Sequence, residues 1–513
     1  MKRLMALLMA LALLGISAGC GAAEDPAPGT GETQDLEGTL NLHLGGEPPS
    51  IDPAFATAGA GGAYAVQLFE GLTTLDKDLE VTAGAAANWT VGIAEDGLPL
   101  YTFSLREDAK WSDGRAVTAQ DFVFAWRRAA DPATRADSAY LLYPIRGARQ
   151  ILEGTVTQGE DGTAKTEYLK PEELGVFAVD EHTLEVTLEG PCPYFLQLLT
   201  LPVFFPVRED AVEKSPLGWT GTPETCLSNG PYKLGRWNHD CSMTMERSEL
   251  YWGDTQESPR VLNFVLSQDD GALFQDFESG RLLLAGSYPP VERDALKEAG
   301  TLAEVPMLGT YYYAFNTQKE PWDKPELRRA VALALDRRAL ADTGDFGRLA
   351  AAGLVPPGVP DREPGGDFRA AAAPFFAQDP QQDLDLAKTL LAEAGYPGGT
   401  GLPALTFLTN DTPGHVEMAN LAAGMLEENL GITVNVRALG WEQFQAAKAE
   451  GEWDLVRGGT MGVVRDAYAF LDAFVTGSPQ NDGLYTSEAY DAAVAGSRAA
   501  EEPEERLPAT PAS

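Results

Sequence analysis

Four cysteines and four histidines are spread through 513 residues, too few and too scattered for a metal centre. Cys20, Cys192, Cys226 and Cys241 show no C-x-x-C spacing, and His43, His182, His239 and His415 lie far apart, which excludes a structural zinc site of the usual kinds. Cys226 and Cys241 either pair, leaving Cys192 free, or stay as small buried thiols; the spacing does not choose between them. Basic residues are also scarce, 38 against 76 acidic ones, for a formal net charge of -38. So anionic a surface repels phosphate backbones, which excludes nucleic acid as a partner and suits solubility outside the cell. Catalytic motifs are missing as well. There is no H-E-x-x-H and no P-loop, and nothing singles out a carboxylate pair. The one G-x-S-x-G match, Gly15 to Gly19, falls in the N-terminal leader and not on a strand-turn-helix elbow. The reading is of a protein that is not an enzyme and uses no cofactor. The apolar run from Leu4 to Leu14 is eleven residues long, too short to cross a bilayer.

What is present starts with that leader. Lys2 and Arg3 precede the apolar run, and the small residues Ser17, Ala18 and Gly19 lead to Cys20, the shape of a secretory signal over residues 1–19. A cysteine at this point resembles a bacterial lipobox, which implies a lipidated Cys20 as the mature N-terminus. Ser17 stands where that pattern usually has Leu, and an ordinary cleaved signal is the alternative. Residues 20–37 are rich in Gly, Pro, Ala and acids and have little to bury, which predicts a solvated tether to the outer face of the cytoplasmic membrane.

At this length the remainder requires two or three domains. Tyr101, Phe103 and Leu105 alternate with polar residues as a half-buried strand, followed by a turn at Asp113-Gly114. Thr118 with Asp121 three residues on predicts a capped helix whose stripe is Phe122, Val123, Trp126 and Ala130. Pro325 opens another helix, with Leu327, Ala330, Val331, Ala334 and Leu335 on its face. Leu386, Leu390, Leu391 and Ala394 mark a third, stopped by Gly395. A helix from Val416 to Leu430 ends at Gly431 and runs into a strand through Ile432, Val434 and Val436. Such helix-strand units build mixed α/β domains. Tyr140, Tyr143 and Trp441 are read as core residues ahead of cleft-lining ones.

Seven segments, in order, carry a family resemblance: GGEPPSIDP (45–53), LFEGLTTLD (68–76), YTFSLREDAKWSDGRAVTAQDFVFAWRRAADP (101–132), LEVTLEGPCPYFLQLL (184–199), SNGPYKLGRW (228–237), YYYAFNTQKEPWDKPELRRAVALALDRRAL (311–340) and LLAEAGYPGG (390–399). The chain resembles the family 5 extracellular solute-binding proteins of the oligopeptide-binding type. The resemblance implies a two-lobed, periplasmic-binding-protein-like α/β fold with an extra domain and a hinge-closing cleft. It divides the chain into domain I (38–75 and 207–308), an extra domain II (76–206) and a second lobe, domain III (309–513). Compared with the family pattern, the second lobe is cut short at its C-terminus. The implied function is capture of short peptides for an ABC importer, with permease subunits and, through the lipid, the membrane as partners of a monomer. Alternatives are a dipeptide, a nickel chelate or another small solute as ligand, or a sensor or chaperone on the same fold.

The same resemblance implies that main-chain contacts to the ligand come from the segments corresponding to Ala58, Gly59, Ala60 and Gly61 and to Arg457, Gly458, Gly459, Thr460 and Met461. The glycines let the backbone approach a ligand closely. Arg457 suits a ligand carboxylate, with a structural ion pair as its other reading. The family's Asp anchor for a peptide α-ammonium corresponds to Val463, so either Asp466 replaces it or the ligand has no free amino end there.

Overall fold

A computed structural model describes residues 38–56, 60–158, 164–305, 307–343, 347–361, 366–373, 375–377, 379–478 and 480–499. The leader, Cys20, the tether, Ala58 and Gly59 lie outside the described residues. The chain groups into two compact units, one of 1–189 with 199–302, the other of 190–198 with 303–513.

Unit 1 holds two main sheets. In the first, strand Thr39–His43 lies between Val261–Val265 and Leu284–Ala285, parallel to both, and Ser242–Arg247 and Tyr232–Asn238 extend it antiparallel. The second is antiparallel, ordered Ala86–Ile93, Pro99–Leu105, Thr183–Thr187, Val176–Ala178. Phe103 and Leu105 face inward on it, as the alternation predicts. The turn before the helix closes with Gly114 at φ +89° and its N–H donating to Trp111 O. Helix Ala119–Ala130 starts where the Asp121 carboxylate accepts the Thr118 N–H at 2.8 Å, and Phe122, Val123, Trp126 and Ala130 are all buried. Each such large apolar side chain contributes about 1.5–3 kcal/mol on burial.

The opening GGEPPSIDP segment has a structural use. Asp52 accepts Nη1 and Nη2 of Arg128 at 2.9 and 2.7 Å, and the Trp219 Nε1–H at 2.7 Å. A buried ion pair is stable only when its remaining lone pairs are also satisfied, as the Trp219 donor and the Ala54 N–H do here. Three segments distant in sequence are thereby tied together.

Unit 2 is built on a four-stranded mixed sheet ordered Gly309–Phe315, Leu455–Met461, Leu405–Asn410, Val434–Leu439. Helices Pro325–Leu333, Pro380–Glu393 and Pro413–Leu430 pack on one face, through Leu327, Val331, Leu391, Met418 and Leu426 against Leu405, Phe407 and Leu455. Helix Trp441–Glu450 covers the other face through Phe444 and Ala447, against Leu408, Trp453 and Val456. Gly431, at φ +68°, ends the long helix as its sequence predicts. Unit 2 also takes in residues 190–198, where Tyr194 stacks on Tyr468 and Gln197 Oε1 accepts the Arg465 N–H at 2.9 Å.

Of the two alternatives left open for Cys226, the structure takes the unpaired one: it is a free, buried thiol, and burial pushes it up to about 12. Several expectations are corrected. The helix at Pro325 stops at Leu333, and Arg337–Asp342 forms a second one. Leu386 is 39% exposed, because the buried stripe of its helix runs Asp383, Ala387, Leu391. Tyr140 and Trp441 are exposed, at 44% and 55%, and not core. Among the described residues no helix is long and apolar enough to cross a membrane, and no group of His, Cys, Asp and Glu could hold a metal ion.

Candidate ligand-binding site

All five residues from Arg457 to Met461 lie on one strand, Leu455–Met461. Along its whole length it pairs antiparallel with Gly309–Phe315, setting Tyr313 opposite Arg457, Tyr312 opposite Gly458, and Tyr311 opposite Gly459. On its other side it pairs with Leu405–Asn410 only at Leu455 and Val456. Beyond Val456 that second edge has no strand partner among the described residues. The direction of the main-chain groups follows from the alternation of an antiparallel ladder. The Gly462 N–H donates to Leu308 O, and the Asn316 N–H donates to Asp454 O. Even-numbered residues therefore turn their N–H and C=O toward Gly309–Phe315, and Gly459 and Met461 turn theirs to the open edge. Unpaired main-chain groups in a row are what an extended peptide needs to add as a further strand.

The three glycines of this stretch have different reasons to be glycine. A Cβ on Gly458 would meet the Tyr312 ring at 2.3 Å and Asp482 Oδ2 at 2.6 Å; one on Gly462 would meet Phe470 at 2.6 Å. Both are packing requirements. Gly459 has nothing nearer than Thr310 O at 3.7 Å, so it alone leaves free space over the strand.

Arg457 lies on the face that carries Tyr311 and Tyr313. Its guanidinium carbon is 5.3 Å from the centroid of the Tyr311 ring. Its Nε is buried and has no hydrogen-bond partner, and no carboxylate among the described residues lies within ion-pair distance. The structural ion pair is thus not what holds it. His415, in the first turn of Pro413–Leu430, stacks on Tyr311 at 5.4 Å, and Tyr311 Oη lies 3.3 Å from its Nδ1. Burial, then the positive charges of Arg457 and Arg348, holds His415 below its ordinary pKa. Burial raises Tyr311 above its own, so both groups are neutral at pH 7. The Arg457 guanidinium, with no carboxylate at ion-pair distance among the described residues, lies beside a neutral imidazole and a phenol, which makes it an anion-binding corner.

Asp466 sits past the strand. Its Oδ1 accepts the Tyr468 N–H at 2.9 Å and so shapes the start of helix Tyr468–Leu471. Ala60 and Gly61 are helical, in the first turn of Ala60–Leu68, and a Cβ on Gly61 would meet Ser50 O at 2.9 Å. Sequence reasoning missed Tyr311, His415 and Arg348. The alternation in Tyr311-Tyr312-Tyr313 puts the outer two on one face, and this was the available signal.

Comparison with known proteins gives consistent matches. The family described as bacterial extracellular solute-binding proteins, family 5 Middle, matches residues 80–482. The dipeptide-binding protein DppE of Bacillus subtilis is 32% identical over 95% of this chain and 86% of its own length. The periplasmic oligopeptide-binding protein OppA of Escherichia coli is 33% identical over 92% and 83%. The unliganded open form of the periplasmic murein tripeptide-binding protein MppA superposes with a TM-score of 0.76 at 30% identity, covering 92% of this chain and 87% of that one.

Proposed function

Because the chain belongs to the bacterial family 5 extracellular solute-binding proteins and has their two-lobed α/β fold, we propose that it captures short peptides outside the cytoplasmic membrane and hands them to the permease of an ABC importer. The observation that carries this is the open strand edge at Gly459 and Met461 beside the uncompensated Arg457. The edge pairs with the ligand main chain, and Arg457 takes its carboxylate. Each buried peptide group left unpaired costs about 1–3 kcal/mol, so an edge of this kind is what makes burying a peptide feasible. Side chains contribute little to such pairing, which keeps specificity broad. Relatives named for dipeptides, oligopeptides and a murein tripeptide fit that breadth. The protein binds and does not turn over its ligand.

The same reading makes Cys20 the lipid anchor and the mature protein a monomer on the outer membrane face. It divides the chain into domain I (38–75 and 207–308), domain II (76–206) and domain III (309–513); of the two main sheets of unit 1, one lies within the range of domain I and one within that of domain II. The test is native mass spectrometry of the purified protein lacking Cys20, before and after mild unfolding. A released set of short peptides supports the reading; a single non-peptide solute overturns the substrate.

A further inference from the structure

The ligand-binding half of strand Leu455–Met461 is held by one ladder instead of two. At Leu455 and Val456 it has a strand on each side; from Arg457 on, among the described residues, only Gly309–Phe315 pairs with it. A single ladder leaves a strand freer to twist and lift at its open edge. What stands behind the strand therefore decides how straight that edge is. One residue past Arg457, a carboxylate stands there: a Cβ on Gly458 would lie 2.6 Å from Asp482 Oδ2.

Asp482 is itself fixed from several directions. Its Oδ2 accepts the Tyr312 O–H at 2.9 Å, from the neighbouring strand, and its Oδ1 pairs with Lys448 Nζ at 2.5 Å, from helix Trp441–Glu450. The two charged side chains are 11% and 24% exposed, so solvent screens the pair little. The turn that carries Asp482 is closed by Asn481, whose Nδ2 donates to Val475 O and Tyr485 O and whose Oδ1 accepts the Tyr485 N–H. The Thr317 N–H, just past Gly309–Phe315, ties that turn down by donating to Gly483 O at 3.0 Å. A buried ion pair adds little net stability over apolar packing of the same volume, but its directed bonds set geometry. Resting on the peptide reading above, we infer that Asp482 is a positioning residue for ligand capture. Braced by Lys448 and Tyr312, it fixes Gly458 from behind and so holds the main-chain groups of Gly459 and Met461 in line for the ligand. It lies on the face away from Arg457 and acts through the strand.

The experiment compares the whole mature protein, freed of carried-over ligand, with Asp482→Asn and, separately, Lys448→Met. The first keeps an acceptor for the Tyr312 hydroxyl and gives up the charge; the second removes the cation from the helix and leaves the strand and the turn as they are. Two quantities are read at pH 7: hydrogen exchange of the Gly458 and Thr460 amides, which face Gly309–Phe315, and binding of Ala-Ala-Ala by titration calorimetry. Both variants are expected to exchange these two amides at least tenfold faster, with those of Leu405–Asn410 unchanged, and to bind the peptide at least tenfold more weakly. Unchanged affinity in both variants, or exchange that rises equally across the whole sheet, overturns the inference and leaves peptide capture standing. An unaltered protein that binds no Ala-Ala-Ala overturns both.

Discussion

The ring of Tyr312 fills the place where a Cβ on Gly458 would stand, directly across the ladder, and its hydroxyl donates to Asp482 Oδ2 at 2.9 Å. Gly458 is therefore fixed by packing on the face away from Arg457. Gly458→Ala is expected to destabilise unit 2 by about 1–3 kcal/mol through overpacking. Gly459→Ala, one residue on and on the opposite face of the sheet, should stay within about 0.5 kcal/mol. Thermal unfolding of the two variants side by side checks the contrast, and equal losses would refute it.

Arg457 is expected to recognise a carboxylate and nothing else of the ligand. Arg457→Met should weaken binding of a peptide acid by about 2–5 kcal/mol, the usual loss when one partner of a buried charge pair is removed. Against the same peptide with an amidated C-terminus the variant and the parent should bind alike. Titration calorimetry on the four combinations measures the coupling directly.

His415 makes binding depend on pH. Its pKa is depressed in the free protein by burial and by Arg457 and Arg348. A bound carboxylate offsets that positive charge and raises it. Because the bound state then holds more protons than the free state, affinity for peptide acids should rise as pH falls below 7, and level off once both states are protonated. Proton uptake measured in buffers of differing ionisation enthalpy tests the sign, and His415→Gln should abolish it.

Glu70, in unit 1, links stability to pH. Burial raises its pKa above 4.5, although Tyr251 Oη and Trp252 Nε1 both donate to it at 2.6 Å. The native state thus binds more protons than the unfolded chain from 4.5 up to the raised native value, and stability falls as pH rises through that window. Glu70→Gln should flatten this slope of unfolding free energy against pH.

Cys20→Ala should release the protein from the membrane and remove incorporation of labelled fatty acid in cells. Retention in the membrane fraction with no label would point to another attachment.

Much of the local structure was legible in the sequence because it depends on neighbours. Thr118 and Asp121 cap their helix, and Gly431 ends the long one, by interactions within three or four residues. The binding corner was not legible in the same way. Arg457 was found, but Tyr311 and His415 reach it from positions 146 and 42 residues earlier, and only the strand register brings them together. Gly458 misled for a related reason: a glycine kept clear for an aromatic ring looks, in sequence, like one kept clear for a ligand. Leu386 belonged to a plausible apolar stripe, yet the face of its helix that joins the core runs through Ala387 and Leu391.

The position of strand Thr39–His43 governs when the fold can be completed. It is an interior strand of its sheet, and its two neighbours begin at Val261 and Leu284. Ribosomes add about 5–20 residues per second, so more than 200 residues must follow before the first strand finds either partner, a wait of about ten to forty seconds. During that time the first strand has no sheet to enter, and the long loop it must close slows pairing further. For a chain destined for the outside of the cell, late closure of the sheet leaves its N-terminal part threadable while synthesis continues.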